Sequence, residues 1–240
     1  MKNPGWFLSD SPKTRYATGS LAYFAQGIPA GLLHIALPAW LAVEGVSASR
    51  IAGFLGIIML PWAFKLLVGP LMDHFEFLPM GKRRPWVLGA QFGMVVSLLA
   101  LMWVEDPVAQ FGLLTAIGFA INAFTATQDV AVDGMSIDLV PVEQEGRLNA
   151  FMSFGKSVGW AVTSAVTGTL LVAFGMKVTA LVCAVGAAAV FVYLVMVRER
   201  HTERLLPWSK GEASPKNEPP PVHFFTARWL ESPVGRRITL

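Results

Sequence analysis

Three aspartates follow an apolar run near the middle of the chain, in the stretch 125-TATQDVAVDGMSIDLV-140. Asp129 and Asp133 are one helical turn apart, and Asp138 comes shortly after them. A carboxylate within an apolar layer is costly, so it normally faces a partner charge or a water-filled cavity. Two lysines, Lys65 and Lys156, stand inside other apolar stretches and could supply that charge. Acids and lysines at one depth could bind an anionic solute or relay protons.

The elements that would position these groups are long apolar helices. Of the 240 residues, 54% are hydrophobic and 15% are charged, whereas soluble domains carry about a quarter charged residues. A bilayer core requires about 20 apolar residues for each helix that crosses it. Six segments meet that requirement, at about residues 16–43, 51–72, 86–104, 111–133, 148–174 and 178–197. We therefore predict an all-α membrane protein with six transmembrane helices.

The basic residues predict how these helices are oriented. All but four of the 19 lysines and arginines fall on one side of the predicted helices, and loops rich in these residues stay in the cytoplasm. Arg50 and Lys177 are the two that fall on the opposite side. We expect a multi-pass protein of the cytoplasmic (inner) membrane with both termini cytoplasmic. The net charge of +3 could suggest nucleic-acid binding, but the one-sided distribution of the basic residues favours membrane topology instead, so no nucleic-acid partner is expected.

Two polar tails flank the predicted bundle, which occupies residues 16–198. Residues 1–15 are expected to be a cytoplasmic tail, and residues 199–240 a flexible cytoplasmic linker rich in proline and charge. The last stretch, 224–240, could lie on the membrane surface or be unstructured. The single cysteine, Cys183, excludes a disulfide framework and a cysteine metal cluster. No cofactor or metal is expected.

Helical geometry separates the three aspartates by depth. Asn122, Asp129 and Asp133 share one face of the fourth helix, which therefore has a single polar stripe. At about 1.5 Å per residue, Asp129 lies roughly 27 Å from Phe111, inside a core about 30 Å thick. Asp133 then falls at the boundary, either as part of a cytoplasmic gate or simply solvated. Asp138 is expected to be an ordinary loop acid.

Further polar groups stand within the first helix. Tyr23 and Gln26 share a face and could contact a solute. His34 could carry protons, although a hydrogen-bonded structural role is the preferred interpretation. Glycine pairs at positions 27/31 and 155/159 permit close helix packing, but they do not indicate the solute.

The loop between the second and third helices has a distinctive pattern, 69-GPLMDHFEFLPMGKRRPW-86. Positive-inside anchoring explains its three consecutive basic residues, but it does not explain Gly69 or Asp73. The pattern resembles the cytoplasmic loop signature of the major facilitator superfamily, with a longer stretch between Asp73 and Gly81 than is usual there. In that family the aspartate joins an inner gate of charge pairs and helix ends. The resemblance implies a gate formed by Gly69, Asp73, Gly81, Lys82, Arg83, Arg84, Asp133 and Arg147.

Three stretches together resemble one branch of that superfamily, the AmpG-like muropeptide permeases and acetyl-CoA transporters. They are 64-FKLLVGPLMD-73, 81-GKRRPW-86 and 127-TQDVAVDGMSIDLVP-141, of which the Gln-Asp-x-x-x-Asp-Gly core is the most specific. The resemblance covers about residues 16–198. It implies a proton-coupled or gradient-driven transporter of a bulky polar solute, such as a muropeptide or another amino-sugar or anionic compound. The expected solute and proton site comprises Asp129, Lys65, Lys156, Gln128, Asn122, Tyr23 and Gln26.

Transporters of this superfamily have two six-helix halves, and the chain accounts for one of them. It is therefore expected to be a fragment, to pair with a separate second half, or to form a homodimer in the lipid bilayer. Two other functions are alternatives: a membrane-embedded enzyme that uses the Asp129 and Asp133 cluster, and a membrane scaffold without transport activity. The aspartate spacing departs from that of membrane prenyltransferases and phospholipid head-group transferases, which favours transport.

Overall fold

Helices make up most of the structure, a computed structural model that describes residues 6–213. In chain order they are α1 (Pro12–Gly31), α2 (Leu37–Val43), α3 (Ala48–Ala63), α4 (Lys65–His74), α5 (Arg84–Ala100), α6 (Phe111–Leu139) and α7 (Val142–Met196). Short 3₁₀ turns, Leu78–Met80 and Leu101–Trp103, flank α5. Two-residue strands, β1 (Trp6–Phe7) and β2 (Val197–Arg198), pair in parallel. The predicted all-α fold class is confirmed.

Within residues 6–213, five helical stretches are long and apolar enough to cross a membrane: Pro12–Val43, Ala48–His74, Arg84–Trp103, Phe111–Leu139 and Val142–Met196. The last has 55 residues, which is about 80 Å of helix against a bilayer core of about 30 Å. Within it Gly175 has φ 74° and ψ −175°, so α7 consists of two helices that meet at this residue. The chain is a multi-pass integral membrane protein, and the part that the structure describes contains six helical spans.

A proline interrupts the first span. Pro38 has no N–H to donate to the carbonyl of His34, and a π-helical segment, Leu32–Ala36, joins α1 to α2. The N–H of Leu37 bonds to the carbonyl of Leu32 across this segment. The missing proline donor therefore explains why the helix widens here without ending.

The second span has a sharper break. Pro61 lies one turn before Phe64, the residue that separates the end of α3 from the start of α4 at Lys65. At Phe64 the backbone makes tighter bonds of the i to i+3 type, including one from its N–H to the carbonyl of Pro61 at 3.2 Å. The break therefore comes directly before one of the lysines that the sequence indicates.

The fourth span continues beyond its predicted end at Asp133. Helix α6 runs to Leu139 because the first strong helix breaker is Pro141, which disfavours helical geometry in the residue before it. Val140 is extended accordingly. Asp138 is consequently a residue of the last helical turn and not of a loop.

The first part of α7 is in direct backbone contact with α1. A Cβ atom at Gly155 would lie 2.2 Å from the carbonyl oxygen of Ser20, and one at Gly27 would lie 2.6 Å from the backbone nitrogen of Trp160. Any side chain at these positions would force the two helices apart. The glycine pairs of the sequence thus make the close packing that was predicted for them.

The other spans differ in how much of their surface is covered. Helix α5 contacts the second part of α7, where the amide of Gln91 donates to the carbonyl of Ala187 at 2.8 Å. In contrast, only 17% of the most apolar stretch of the α3–α4 span is buried within the protein. Several of its large apolar side chains, such as Leu60, Leu66 and Leu67, therefore face outward, toward lipid or another protein.

Both ends of the described chain lie at one end of the bundle, next to the loop that carries Lys82, Arg83 and Arg84; we call this the basic end. Helix α1 begins there at Pro12, after Ser11, whose hydroxyl accepts a bond from the N–H of Thr14. Residues 199–213, predicted as the start of a flexible linker, fold against the loop after α4. In that contact the N–H of Arg204 donates to the carbonyl of Pro79 at 2.8 Å. The rest of the predicted linker, including 224–240, lies outside the described residues.

Candidate functional site

A cavity of about 660 Å³ lies between α1, the α3–α4 span, α6 and the first part of α7. Asp129 and Asp133 face it from α6, where their spacing places them on one side of the helix. Lys65 enters from the start of α4, and Lys156 from α7. The cavity thus brings together Asp133, which the sequence places at the membrane boundary, and the three charged groups that it places within the spans, Lys65, Asp129 and Lys156.

Asp129 is the centre of this charge cluster. Its side chain is 4% exposed; it binds Lys65 Nζ through Oδ2, and its Oδ1 lies 3.6 Å from Lys156 Nζ. Lys65 Nζ also lies 3.6 Å from Asp133 Oδ2. A buried carboxylate needs such partners because the loss of hydration is otherwise uncompensated. With two carboxylates and two ammonium groups, the charged cluster is neutral as a whole.

Aromatic side chains surround the ammonium groups. Lys156 Nζ lies 5.0 Å from the ring centre of Trp62 and 5.4 Å from that of Tyr23, within the range in which a ring face attracts a cation. The Tyr23 hydroxyl donates to Asp133 Oδ1. The indole N–H of Trp62 donates to Asn122 Oδ1 at 3.0 Å. These bonds fix the rings in place, so the cavity has an aromatic wall beside its charges.

Other residues predicted for the site lie away from the cavity. Gln128 is fully buried, and its amide nitrogen donates to Gln91 on α5. Gln26 is also fully buried, and within residues 6–213 its amide has no hydrogen-bond partner. His34 does not line the cavity either. Of the seven residues expected for the solute and proton site, the structure brings together Tyr23, Lys65, Asn122, Asp129 and Lys156.

A second cavity of about 410 Å³ adjoins the first, since both are lined by Tyr23 and Asp133. It is also lined by Glu145 and Asn149, which follow the connection between α6 and α7. Because that connection lies at the basic end, the two cavities form a polar path from the charged cluster to this end of the bundle.

At the basic end, Arg83 joins the ends of two spans. Its Nη2 lies 2.7 Å from Asp73 Oδ1 at the end of α4, and its Nε donates to Asp138 Oδ2 at 3.2 Å at the end of α6. Lys82 Nζ adds longer contacts to the same two acids, at 3.6 and 3.9 Å. The expectation that Asp138 is an ordinary loop acid is therefore wrong, because the longer α6 carries it to Arg83. Gly69, one turn before Asp73, faces open space.

The remaining residues predicted for the gate have other surroundings. Asp133 belongs to the cavity cluster, and Arg147 is exposed and has no ion pair within the part of the chain that the structure describes. Arg84 is buried, and its guanidinium donates to the carbonyl oxygens of Val195 at 2.7 Å and Arg204 at 3.2 Å. Arg84 therefore connects the start of α5 to the end of α7 through hydrogen bonds to backbone carbonyls and not through an ion pair with a carboxylate.

A charged cavity between spans, together with an arginine that joins span ends, agrees with the family resemblance of the sequence. Residues 19–234 match the family model of the Major Facilitator Superfamily. The chain belongs to this superfamily. The match covers most of the chain and includes every residue of the cavity cluster and of the Arg83 contacts.

Curated relatives of this facilitator include proteins named as AmpG transporters and anhydromuropeptide permeases. The anhydromuropeptide permease of Escherichia coli (strain K12) is 32% identical over 140 residues, which are 58% of this chain and 28% of that protein. Putative transporter AmpG 4 of Rickettsia felis is 28% identical over 186 residues, which are 75% of this chain and 44% of that protein. The predicted likeness to AmpG-like permeases is confirmed. The chain spans less than half the length of these relatives.

A buried glutamate that the sequence did not indicate caps α5 of this facilitator. Glu199 is 2% exposed, and its carboxylate accepts the backbone N–H groups of Lys82, Arg83 and Arg84 at 3.1, 2.9 and 2.7 Å. A helix start leaves such donors without partners in its own backbone. Gly81 makes room for the carboxylate: its φ is 102°, and a Cβ there would lie 2.7 Å from Glu199 Cδ.

Burial raises the pKa of Glu199, and the neighbouring carboxylate of Glu203 raises it further, against the lowering effect of the three backbone N–H groups. The folded state therefore holds a proton on Glu199 more tightly than the unfolded chain does. The stability contributed by this group consequently falls as the pH rises from its ordinary pKa to the raised one.

Substitutions of Glu199 test its role as a cap. We expect Glu199→Ala to lower the free energy of unfolding by about 2 kcal/mol, because charge-assisted bonds to buried N–H groups are lost. Glu199→Gln keeps an acceptor, so it should retain more of the stability and lose the pH dependence. Thermal unfolding of the purified protein in detergent, at several pH values, measures both effects. Glu105→Ala, in an exposed loop, is the control, and equal unfolding temperatures for the two alanine variants would contradict the assignment.

Trp62 and Glu199 are among the contributors that the sequence prediction missed. Trp62 precedes Lys65 by three positions, a spacing that could have indicated an aromatic neighbour for the ammonium group. Glu199 stands between two arginines just after the last span, and no local spacing indicates that it reaches a helix start more than a hundred residues earlier.

Proposed function

We propose that the chain is one half of a proton-coupled transporter that carries a bulky polar solute, such as a muropeptide or another anionic amino-sugar compound. The observation that carries this proposal is the neutral cluster of two aspartates and two lysines that lines the cavity of about 660 Å³. Ionisable groups within membrane spans are rare, and they mark solute and ion pathways. The likeness to a permease named for anhydromuropeptides supports the choice of solute.

Charge balance supports coupling to protons. An anionic solute would add a negative charge to the neutral cluster, in surroundings where a net charge is poorly solvated. A proton on the carboxylate pair, Asp129 and Asp133, would restore neutrality. Because binding linkage is reciprocal, protonation of the pair would favour the anion to the same extent. Both carboxylates contact Lys65, so the proton would belong to the pair and not to one residue.

The transporter would be completed by a second six-helix half, which could be a separate chain, a further part of a longer protein or a second copy of this chain. The exposed face of the α3–α4 span supports this. Leu66 is 87% exposed, Leu67 67% and Phe64 57%, next to the cavity. The lipid bilayer would cover the rest of the apolar surface. We place the basic end in the cytoplasm at the inner membrane, because basic loops stay on that side.

A membrane enzyme or a scaffold accounts for fewer of these features. Asp129 and Asp133 both contact Lys65, and an ammonium group competes for the carboxylate oxygens that a divalent cation would require. A scaffold would require no charged cavity within its spans. A transporter, in contrast, would require both the charged groups and the cavity between the helices.

Uptake into membrane vesicles tests the proposal. The vesicles come from cells that express the chain together with its natural downstream coding region. We expect saturable uptake of a labelled amino-sugar peptide, driven by a proton gradient and abolished by a protonophore, and no uptake of an acyl-CoA. Uptake that a protonophore leaves unchanged would contradict proton coupling, and the absence of uptake for every amino-sugar peptide would contradict the solute class.

A further inference from the structure

The two lysines of the cavity differ in the contacts that they make. Lys65 Nζ binds Asp129 and lies 3.6 Å from Asp133, so two carboxylates compensate its charge. Lys156 Nζ lies 3.6 Å from Asp129 alone, beyond normal hydrogen-bonding distance. Within residues 6–213, no acceptor bonds to Lys156 Nζ. An ammonium group has three donors, so Lys156 retains donors for a ligand where Lys65 is already engaged.

The surroundings of Lys156 complete a binding subsite. Ser153 and Ser157 stand beside it on α7, are exposed, line the same cavity, and donate no hydrogen bond within the described chain. Trp160, one turn further along, is 46% exposed and also lines the cavity. The ring centre of Trp62 lies 5.0 Å from the ammonium group. Two hydroxyls and a cation thus line the same cavity as two indole rings, which could stack on the apolar face of a sugar ring.

We infer that Lys156 is the residue that recognises the anionic group of the solute, that this group is a carboxylate and not a phosphate, and that Lys65 serves as the fixed counter-ion of the two aspartates. This inference rests on the proposed transport function and assigns the chemistry of its site.

Charge favours the carboxylate. A phosphate monoester carries about −1.5 to −2 at neutral pH, and it would enter a neutral cluster in which Asp129 stands 3.6 Å from the receiving ammonium. One added carboxylate charge can be balanced by a single proton, whereas a dianion leaves an uncompensated charge. Phosphate sites also commonly use the planar fork of arginine, and no arginine lines this cavity among the described residues.

Ligand binding to the full chain in lipid nanodiscs tests the inference, with the fluorescence of the cavity tryptophans as the signal. The probes are N-acetylmuramate, its uncharged methyl ester and N-acetylglucosamine 6-phosphate. We expect the acid to bind at least about tenfold more tightly than the ester, because a charge-assisted hydrogen bond is lost in the ester, and more tightly than the phosphate. Lys156→Met should reduce the ratio of acid to ester to about one, and Lys156→Arg should keep much of it.

The control is Lys177→Met, an exposed lysine far from the cavity, which should keep the wild-type ratio. The inference is overturned if Lys156→Met keeps the preference for the acid, if the phosphate binds most tightly, or if the wild type shows no saturable binding of the acid. Because this experiment measures binding alone, a chain that fails in vesicle uptake but shows the Lys156-dependent preference would contradict the proposed transport and not the assignment of the subsite.

Discussion

Asp129→Asn is expected to lower solute uptake by roughly 30-fold. The variant leaves Lys65 and Lys156 close to each other without the carboxylate that lies between them. Loss of one partner from a fully buried ion pair costs about 3–5 kcal/mol. The lysines are about a third exposed, so solvent screening reduces this to about 2 kcal/mol. A cost of this size in the activation barrier of the slowest transport step corresponds to roughly 30-fold in rate. Vesicle uptake of the amino-sugar peptide measures the effect.

A second substitution separates charge balance from function. In Asp129→Asn combined with Lys156→Gln, the cluster is neutral again, so the unfolding temperature should return toward the wild-type value while uptake stays low. Glu44→Gln, an exposed acid after α2, is the matched control and should leave uptake and stability unchanged. Near-normal uptake in both Asp129→Asn and Lys156→Gln would refute a role of the cluster in transport.

Gly155→Ala is expected to have the largest effect on stability. Its Cβ would lie 2.2 Å from the carbonyl oxygen of Ser20, and backbone atoms cannot move aside as a flexible side chain can. The contact between α1 and α7 would have to open, at a cost of about 3 kcal/mol, the upper range for overpacking. The displaced helix also carries Lys156, so binding of the acidic probe should weaken. Thermal unfolding in detergent checks the first effect and tryptophan fluorescence the second.

Another glycine of the same helix provides the control. A Cβ at Gly168 would meet nothing within 4 Å, and alanine within a helix is favoured over glycine by about 0.5–1 kcal/mol. Gly168→Ala should therefore leave stability unchanged or raise it slightly. If Gly155→Ala and Gly168→Ala unfold at the same temperature, the helices are not held as closely as the structure indicates.

The spans and the charged cluster could be predicted because both depend on local properties of the sequence. Apolar runs of sufficient length indicate membrane helices, and an ionisable residue inside such a run indicates a functional interior. Helical spacing then placed Asp129 and Asp133 on one face. The pairing of Lys156 with Asp129 was a hypothesis on grounds of depth alone, and the structure places the two groups 3.6 Å apart.

The features that could not be predicted depend on contacts between distant parts of the chain. Gln128 belongs to the most specific motif of the sequence, yet its side chain does not face the cavity but donates to Gln91 on the neighbouring helix α5. The sequence around Gln128 does not indicate whether its amide faces the cavity or the neighbouring helix α5. Glu199 likewise has its role only because the end of α7 lies beside the start of α5. The end of α6 was misplaced for a different reason: the residues after Asp133 resemble a loop, but Gly134 alone does not end the helix, and the first proline is Pro141.

The backbone contact between α1 and α7 also makes one side of the cavity rigid, whereas the side formed by α4 can move. Tyr23 and Lys156 lie on helices that cannot slide past each other without a clash, so the distance between them is fixed. Lys65 lies on α4, directly after the break at Phe64. Bending of the second span at this hinge would change the gap between the two ammonium groups and leave the contact between Tyr23 and Lys156 intact. Because Asp129 lies between the lysines, such bending would change its distance from Lys65 and, with it, the electrostatic potential of the cavity.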